Sequence, residues 1–153
     1  MMKDINEAQC IEVLQNHCMG YLAYMDHDTP YVLPITYYYN PEEKCIISIS
    51  GEGHKMRCIR EHPSVALNVS NKSSLKDWQS VMVHGEVEEI KGSNSKYQLH
   101  QFLQGVKRIS GNNKENVNLQ FISDFSSKNT EGGTSVVYRI KIKEITGKQR
   151  KPK

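Results

Sequence analysis

Apolar positions along the chain change period several times, and each change predicts an element. Over residues 6–16, Ile11 and Leu14 fall near one helical face; Asn6 can cap, and Gln9 three residues on can complete a capping box. From residue 19 the pattern becomes strand-like over 19–25, 31–39 and 45–50, with turns at Asp26-His27-Asp28-Thr29 and Asn40-Pro41-Glu42-Glu43. A short helix over 54–61 is stopped by Pro63, because the residue before a proline is biased out of the helical region. Then come a strand over 64–70, a polar loop over 71–77 and a long strand over 78–91. Residues 93–108 suit a helix capped by Ser93 or Asn94, with Tyr97, Leu99, Phe102, Leu103 and Val106 facing inward. The stretch 110–133 is weakly patterned and polar, and reads as a long loop with a helical turn at 117–121. A last strand over 136–145 alternates apolar and charged from Tyr138 to Lys143, as an outer strand with one wet face would. The pattern therefore predicts a mainly β fold: a six-stranded antiparallel barrel with short helices, the first of which closes one end.

Composition narrows the picture. A chain of 153 residues fits one domain. Its net charge of +3 comes partly from Lys148, Arg150, Lys151 and Lys153, a basic end on a near-neutral body, which is too modest for nucleic acid. No segment approaches the roughly 20 apolar residues that span a bilayer and no apolar leader is visible, so a cytoplasmic protein without a membrane partner is expected. Cys10, Cys18, Cys45 and Cys58 show no C-x-x-C spacing and fit free thiols in a reducing compartment. His17 and Cys18 are adjacent, which does not let both converge on one ion, and no metal site is expected. No Ser/His/Asp or Cys/His arrangement stands out, and His62, His84 and His100 have no evident partner. A catalytic assignment is left open, and a bound cofactor would carry any chemistry.

The stretch from Ser48 to Pro63 carries the strongest chemical signal. His54, Lys55 and Arg57 crowd a helix start, where unpaired N–H groups make a cation unfavourable by about 0.3–1 kcal/mol each. An anion reverses that penalty, and Gly51 and Gly53 would let it approach the backbone. The bland alternative is a solvated surface helix, and Glu52 favours it. Ser48 and Ser50 share one strand face and offer a hydroxyl pair, with Ile49 on the other. Pro34 interrupts its strand, marking a plain edge or a place where a ligand replaces the neighbouring strand. Trp78, Ser80, Met82 and His84 share a face opposite Val81 and Val83.

Taken in order, these fragments resemble the FMN-binding split-barrel superfamily, the pyridoxamine 5′-phosphate oxidase-like group, and within it the Nim-type nitroimidazole-resistance flavin reductases. The resemblance rests on Gly20-Tyr21-Leu22-Ala23, Pro30 to Tyr37, Ser48-Ile49-Ser50 through Gly53-His54-Lys55, His62-Pro63, Asp77 to Val81 leading to Gly85, and Ile145-Thr146-Gly147-Lys148. It implies one split-barrel domain over residues 1–148 with a basic tail at 149–153, and a homodimer holding FMN between subunits. By the same resemblance Lys55 grips the FMN phosphate within the Gly53-His54-Lys55 turn, near Ser48, Ile49 and Ser50. Pro34, Ile35 and Thr36 lie along the flavin ring, and Ser80 with Val81 occupies a position near it. Ser48 stands where many Nim-type members carry His, and no match to the C-terminal Trp and Arg of the true oxidase is found, so vitamin B6 oxidation is not expected. The expectation is an FMN-dependent oxidoreductase reduced by NAD(P)H that passes electrons to a small acceptor such as a nitroaromatic. The alternatives are a non-enzymatic flavin-storing or sensing module, and a haem- or deazaflavin-binding barrel.

Overall fold

A computed structural model describes residues 1–113 and 135–152. The elements run β1 (Met2–Asp4), α1 (Glu7–Gln15), β2 (Met19–Asp26), β3 (Thr29–Asn40), β4 (Cys45–Gly51), α2 (His54–Glu61), β5 (Ser64–Ser74), β6 (Asp77–Ile90), α3 (Ser93–Asn113) and β7 (Ser135–Arg150). The strands are ordered β1-β7-β4-β3-β2-β5-β6, every pairing is antiparallel, and a further β6–β7 pairing closes the ring.

Seven strands stand where six were expected. The extra one, β1, has three residues paired to the end of β7 (Met2↔Arg150, Asp4↔Lys148), too short to show a period. The expected loop over 71–77 is a hairpin instead: Ser74 pairs with Asp77 across a tip of Leu75 and Lys76, with a bulge between Lys72 and Ser74. Polar residues there read as loop because backbone pairing, which satisfies their N–H and C=O groups, leaves no mark on composition. Likewise β7 continues to Arg150, so Gln149 and Arg150 belong to the sheet rather than to a tail. Nor is β7 an outer strand, since β4 lies on one side of it and β6 on the other. Its face is what is wet: Lys141 and Lys143 reach Glu88 (2.6 Å) and Glu86 (2.7 Å) on β6.

The interior is filled by alternate residues of the strands, including Leu22, Tyr37, Ile46, Leu67, Val83 and Tyr138. Each such aliphatic residue contributes about 1.5–3 kcal/mol by burial. α1 closes one end with Cys10, Val13 and Leu14, and the Tyr37 hydroxyl donates to the Leu14 carbonyl at 2.9 Å. The capping box forms as the sequence suggests: Asn6 Oδ1 accepts from Gln9 N at 2.8 Å, and Gln9 Oε1 accepts from Asn6 N at 2.9 Å. α3 packs outside the barrel, laying Phe102, Val106 and Ile109 on Tyr38, Ile47 and Val137. Tyr97, expected inward, is exposed; Gln98, one helical step round, is buried instead and donates to Glu43 at 2.6 Å. Ser110 to Asn113 continue α3, while the rest of the expected loop, including the turn at 117–121, lies outside the described residues. Gly85 sits where the β6–β7 register shifts; a Cβ there would come within 2.2 Å of the Lys141 carbonyl, so only glycine lets the two backbones approach. No helix among the described residues is long and apolar enough to cross a membrane.

Candidate functional site

The turn from β4 into α2 is open on its outside. Gly53 caps α2 without any side-chain hydrogen bond, so first-turn N–H groups stay available. A Cβ at Gly51 or Gly53 would meet no atom within 4 Å, which leaves room for a ligand against the backbone. Glu52, the residue that argued against an anion, is tied down by its own helix. Arg60 holds its carboxylate through two bonds of 2.6 and 2.7 Å, keeping it below the usual carboxylate range, and also binds Glu89 at 2.6 Å.

Lys55 is different. It is half-buried, its Nζ lies 5.9 Å from the centroid of the Tyr138 ring, and among the described residues no carboxylate pairs with it. Burial pushes its ammonium below the ordinary lysine range, because a charge partly removed from water is penalised. The ring face returns roughly 0.5–1 kcal/mol. Tyr138 itself is buried, and burial raises its phenol to about 12, so the ring stays neutral beneath the lysine.

The other candidates fall on two faces. Ser48 and Ser50 point inward as their alternation requires, yet their protons are already committed, to the Thr36 carbonyl (2.6 Å) and the Gly51 carbonyl (2.8 Å). They are not a free donor pair. Ile49 packs toward α3, and Ile35 and Val81 are core residues whose side chains a ligand would not touch. Pro34 lies on a bare edge, since β2 pairs with β3 from Thr29 to Thr36 while β4 joins only from Tyr37. On the outer face, register aligns Pro34 with Tyr21, Tyr21 with Asn68, and Asn68 with Met82. Ser80 belongs to that same face, accepting from Asn68 Nδ2 at 2.8 Å and lying 3.3 Å from Ser70 Oγ. It lines a cavity of about 970 Å³ with Asn68, Ser70, Trp78, Met82 and Lys148. No residue of the Lys55 turn lines that cavity, so in this chain Ser80 and Lys55 border different spaces.

His54 was expected beside the phosphate, but its ring is engaged elsewhere. Nδ1 lies 3.0 Å from the Tyr24 hydroxyl, Nε2 lies 3.0 Å from Asp26 Oδ2 and 3.5 Å from Cys58 Sγ, and the ring meets Tyr31 edge-on at 4.8 Å. Hydrogen bonds from His54, then His27, hold Asp26 below its ordinary value, while burial raises the Cys58 thiol. Against the expectation of no Cys/His arrangement and no metal spacing, His54 and Cys58 stand four apart on one helix face, a signal the local pattern carries. Asp26, 28 positions away from His54, was not visible by any local pattern.

Ring closure, helices at the barrel's end and flank, and a glycine turn that delivers a lysine define a split β-barrel. The chain belongs to the pyridoxamine 5′-phosphate oxidase family, whose family model matches residues 6–149. An uncharacterized protein, RA0666, of Rhizobium meliloti is 29% identical over 86 residues, and the chain spans about 56% of that relative's length. Among solved structures, a FAD-binding protein of Mesorhizobium loti superposes with a TM-score of 0.75 at 23% identity, covering 99% of this chain and 98% of that one. A proposed 5-nitroimidazole antibiotic resistance protein of Bacteroides thetaiotaomicron gives 0.69 at 18% identity, covering 97% and 89%. At these identities the likeness is one of fold.

Proposed function

We propose that the chain is a flavin-binding split barrel that takes FMN, with the flavin phosphate at the α2 turn, and that it works as an oxidoreductase. The observation that carries this reading is Lys55, a half-buried cation without a carboxylate partner among the described residues, beside an uncapped helix start with open space over two glycines. Phosphate supplies the missing counter-charge and accepts from the free N–H groups. The FAD-binding protein of Mesorhizobium loti shares the fold and supports a flavin as the cofactor class. Bound FMN would supply electron transfer from NAD(P)H to a small acceptor such as a nitroaromatic compound.

A homodimer completes the proposal. Met19, Tyr21, Met25 and Val32 are exposed on the outer face of β2 and β3, next to Pro34 and Thr36, and Val32 keeps 66% of its surface. An apolar sheet face of this kind fits a subunit contact. The same contact would let the Ser80 cavity of one subunit face the Lys55 turn of the other, joining two half-sites that one chain keeps apart.

The test is an absorption spectrum of the purified protein with FMN or FAD, followed by NADH or NADPH without oxygen. A stoichiometric oxidised-flavin spectrum that bleaches with a nucleotide supports the reductase reading. Flavin that is retained but never reduced leaves a binding module, and no uptake of either flavin at micromolar concentration overturns the cofactor assignment, with haem and deazaflavin tested next.

A further inference from the structure

We propose that Asp26 Oδ2, His54 Nε2 and Cys58 Sγ bind one first-row divalent cation of the Zn²⁺ class, leaving a fourth position open to water. The three donor atoms lie within 4.8 Å of one another, with Oδ2 3.0 Å and Sγ 3.5 Å from the imidazole nitrogen. A tetrahedral zinc site places N, O and S donors about 3.3–3.6 Å apart, so small side-chain rotations bring all three to bonding distance. One proton on Nε2 can serve either the carboxylate or the sulfur; a cation serves both.

The surroundings are those of a ligand set held in place. Tyr24 Oη stands 3.0 Å from Nδ1, where it can accept the Nδ1 proton and leave the Nε2 lone pair free for the ion. His27 Nδ1 lies 2.9 Å from Asp26 Oδ1, which turns the other carboxylate oxygen toward the site. His54 and Asp26 side chains keep 41% and 35% of their surface, enough for an ion and a water to enter. On binding, the Cys58 thiol loses its proton to solvent as the sulfur–metal bond forms, and the thiolate and carboxylate together balance the dication. Imidazole and thiolate favour zinc or cobalt over magnesium or calcium.

The test uses the full chain without a polyhistidine tag, stripped with chelator and free of flavin, so its outcome is separate from that of the flavin proposal. Titration with Co²⁺ is expected to reach one equivalent and to raise a thiolate-to-cobalt charge-transfer band that Zn²⁺ abolishes and Mg²⁺ does not. Cys58→Ser should remove the band. Asp26→Asn, a partly exposed change that spares the core, should weaken Co²⁺ binding tenfold or more, and Tyr24→Phe roughly tenfold through loss of the group that orients the ring. Absence of the band at one equivalent, its survival in Cys58→Ser, or unchanged affinity in Asp26→Asn would overturn the site.

Discussion

His54 and Lys55 are neighbours at the start of α2, both basic and both partly buried, yet the fold treats them in opposite ways. The His54 ring meets Tyr24, Asp26 and Cys58, all supplied by this chain. Lys55 faces the ring of Tyr138, with no carboxylate partner among the described residues. A polar group satisfied internally contributes to stability, whereas one left unsatisfied costs stability until something else arrives. The contrast separates a residue engaged by this chain's own donor and acceptor groups from one left to an outside anion.

The largest expected effect breaks the contrast at Lys55. Reversing its charge in Lys55→Glu should weaken FMN at least 100-fold, and Lys55→Ala about 10- to 100-fold, the worth of a charge-assisted contact of about 1.5–3 kcal/mol, read by flavin fluorescence titration. Unchanged affinity in both would remove Lys55 from the site. On the other side, His54→Phe should cost about 1 kcal/mol, a fall in Tm of roughly 3 °C, while reducing FMN affinity less than Lys55→Ala does. An equal or greater loss of FMN would place His54 with Lys55 after all.

Smaller effects sharpen the comparison. Lys55→Met should stabilise the flavin-free protein by roughly 0.5 kcal/mol, since it removes a penalised charge, so one substitution raises stability while it lowers affinity. The sign follows from the lowered ammonium value: the cost is full at neutral pH and relieved as pH rises through the folded value, so the gain should shrink in alkali. Thermal melts across pH would show a gain that stays constant if the charge were not its source. The smallest effect concerns Asp26, whose folded value is depressed by His54 and then His27. Its contribution is present above the unfolded value of about 3.9 and lost as pH falls through the folded one. Asp26→Asn should thus be less stable than the parent at neutral pH in metal-free buffer, with the two acid-unfolding curves converging below about pH 4.

Local rules made much of this legible. The Asn6–Gln9 box, the stop at Pro63 and the inward alternation of Val81 and Val83 depend on neighbours a few residues apart, and each was readable. His54, Lys55 and Arg57 drew notice because cations in a first helical turn are anomalous, and the family resemblance singled out Lys55 among them. What was hidden is what distance decides. Lys72 and Ser74 read as loop because their pairing with Trp78 and Asp77 is a property of two strands together. Gln98 in place of Tyr97 reflects how α3 is rotated on Tyr38 and Ile47, which no single helix encodes. Asp26 joins His54 only once β2 and the β4–α2 turn meet, and committed protons on Ser48 and Ser50 require knowing which carbonyls pass beside them.

The placement of β7 between β4 and β6 also bears on how the molecule is made. A ribosome delivers residues 45–51 and 77–90 well before residues 135–150 emerge, so a nascent chain complete to Asn113 presents two bare ladder edges with nothing to join them. Such edges invite pairing with other chains. Because Ile49 must find Val137, and Trp78 must find Arg150, the last step is a long-range search, and topology of that kind folds slowly. The newborn protein's hazard is therefore greatest before residues 135–150 emerge, and a chain stalled short of them yields a half-made sheet rather than a smaller barrel.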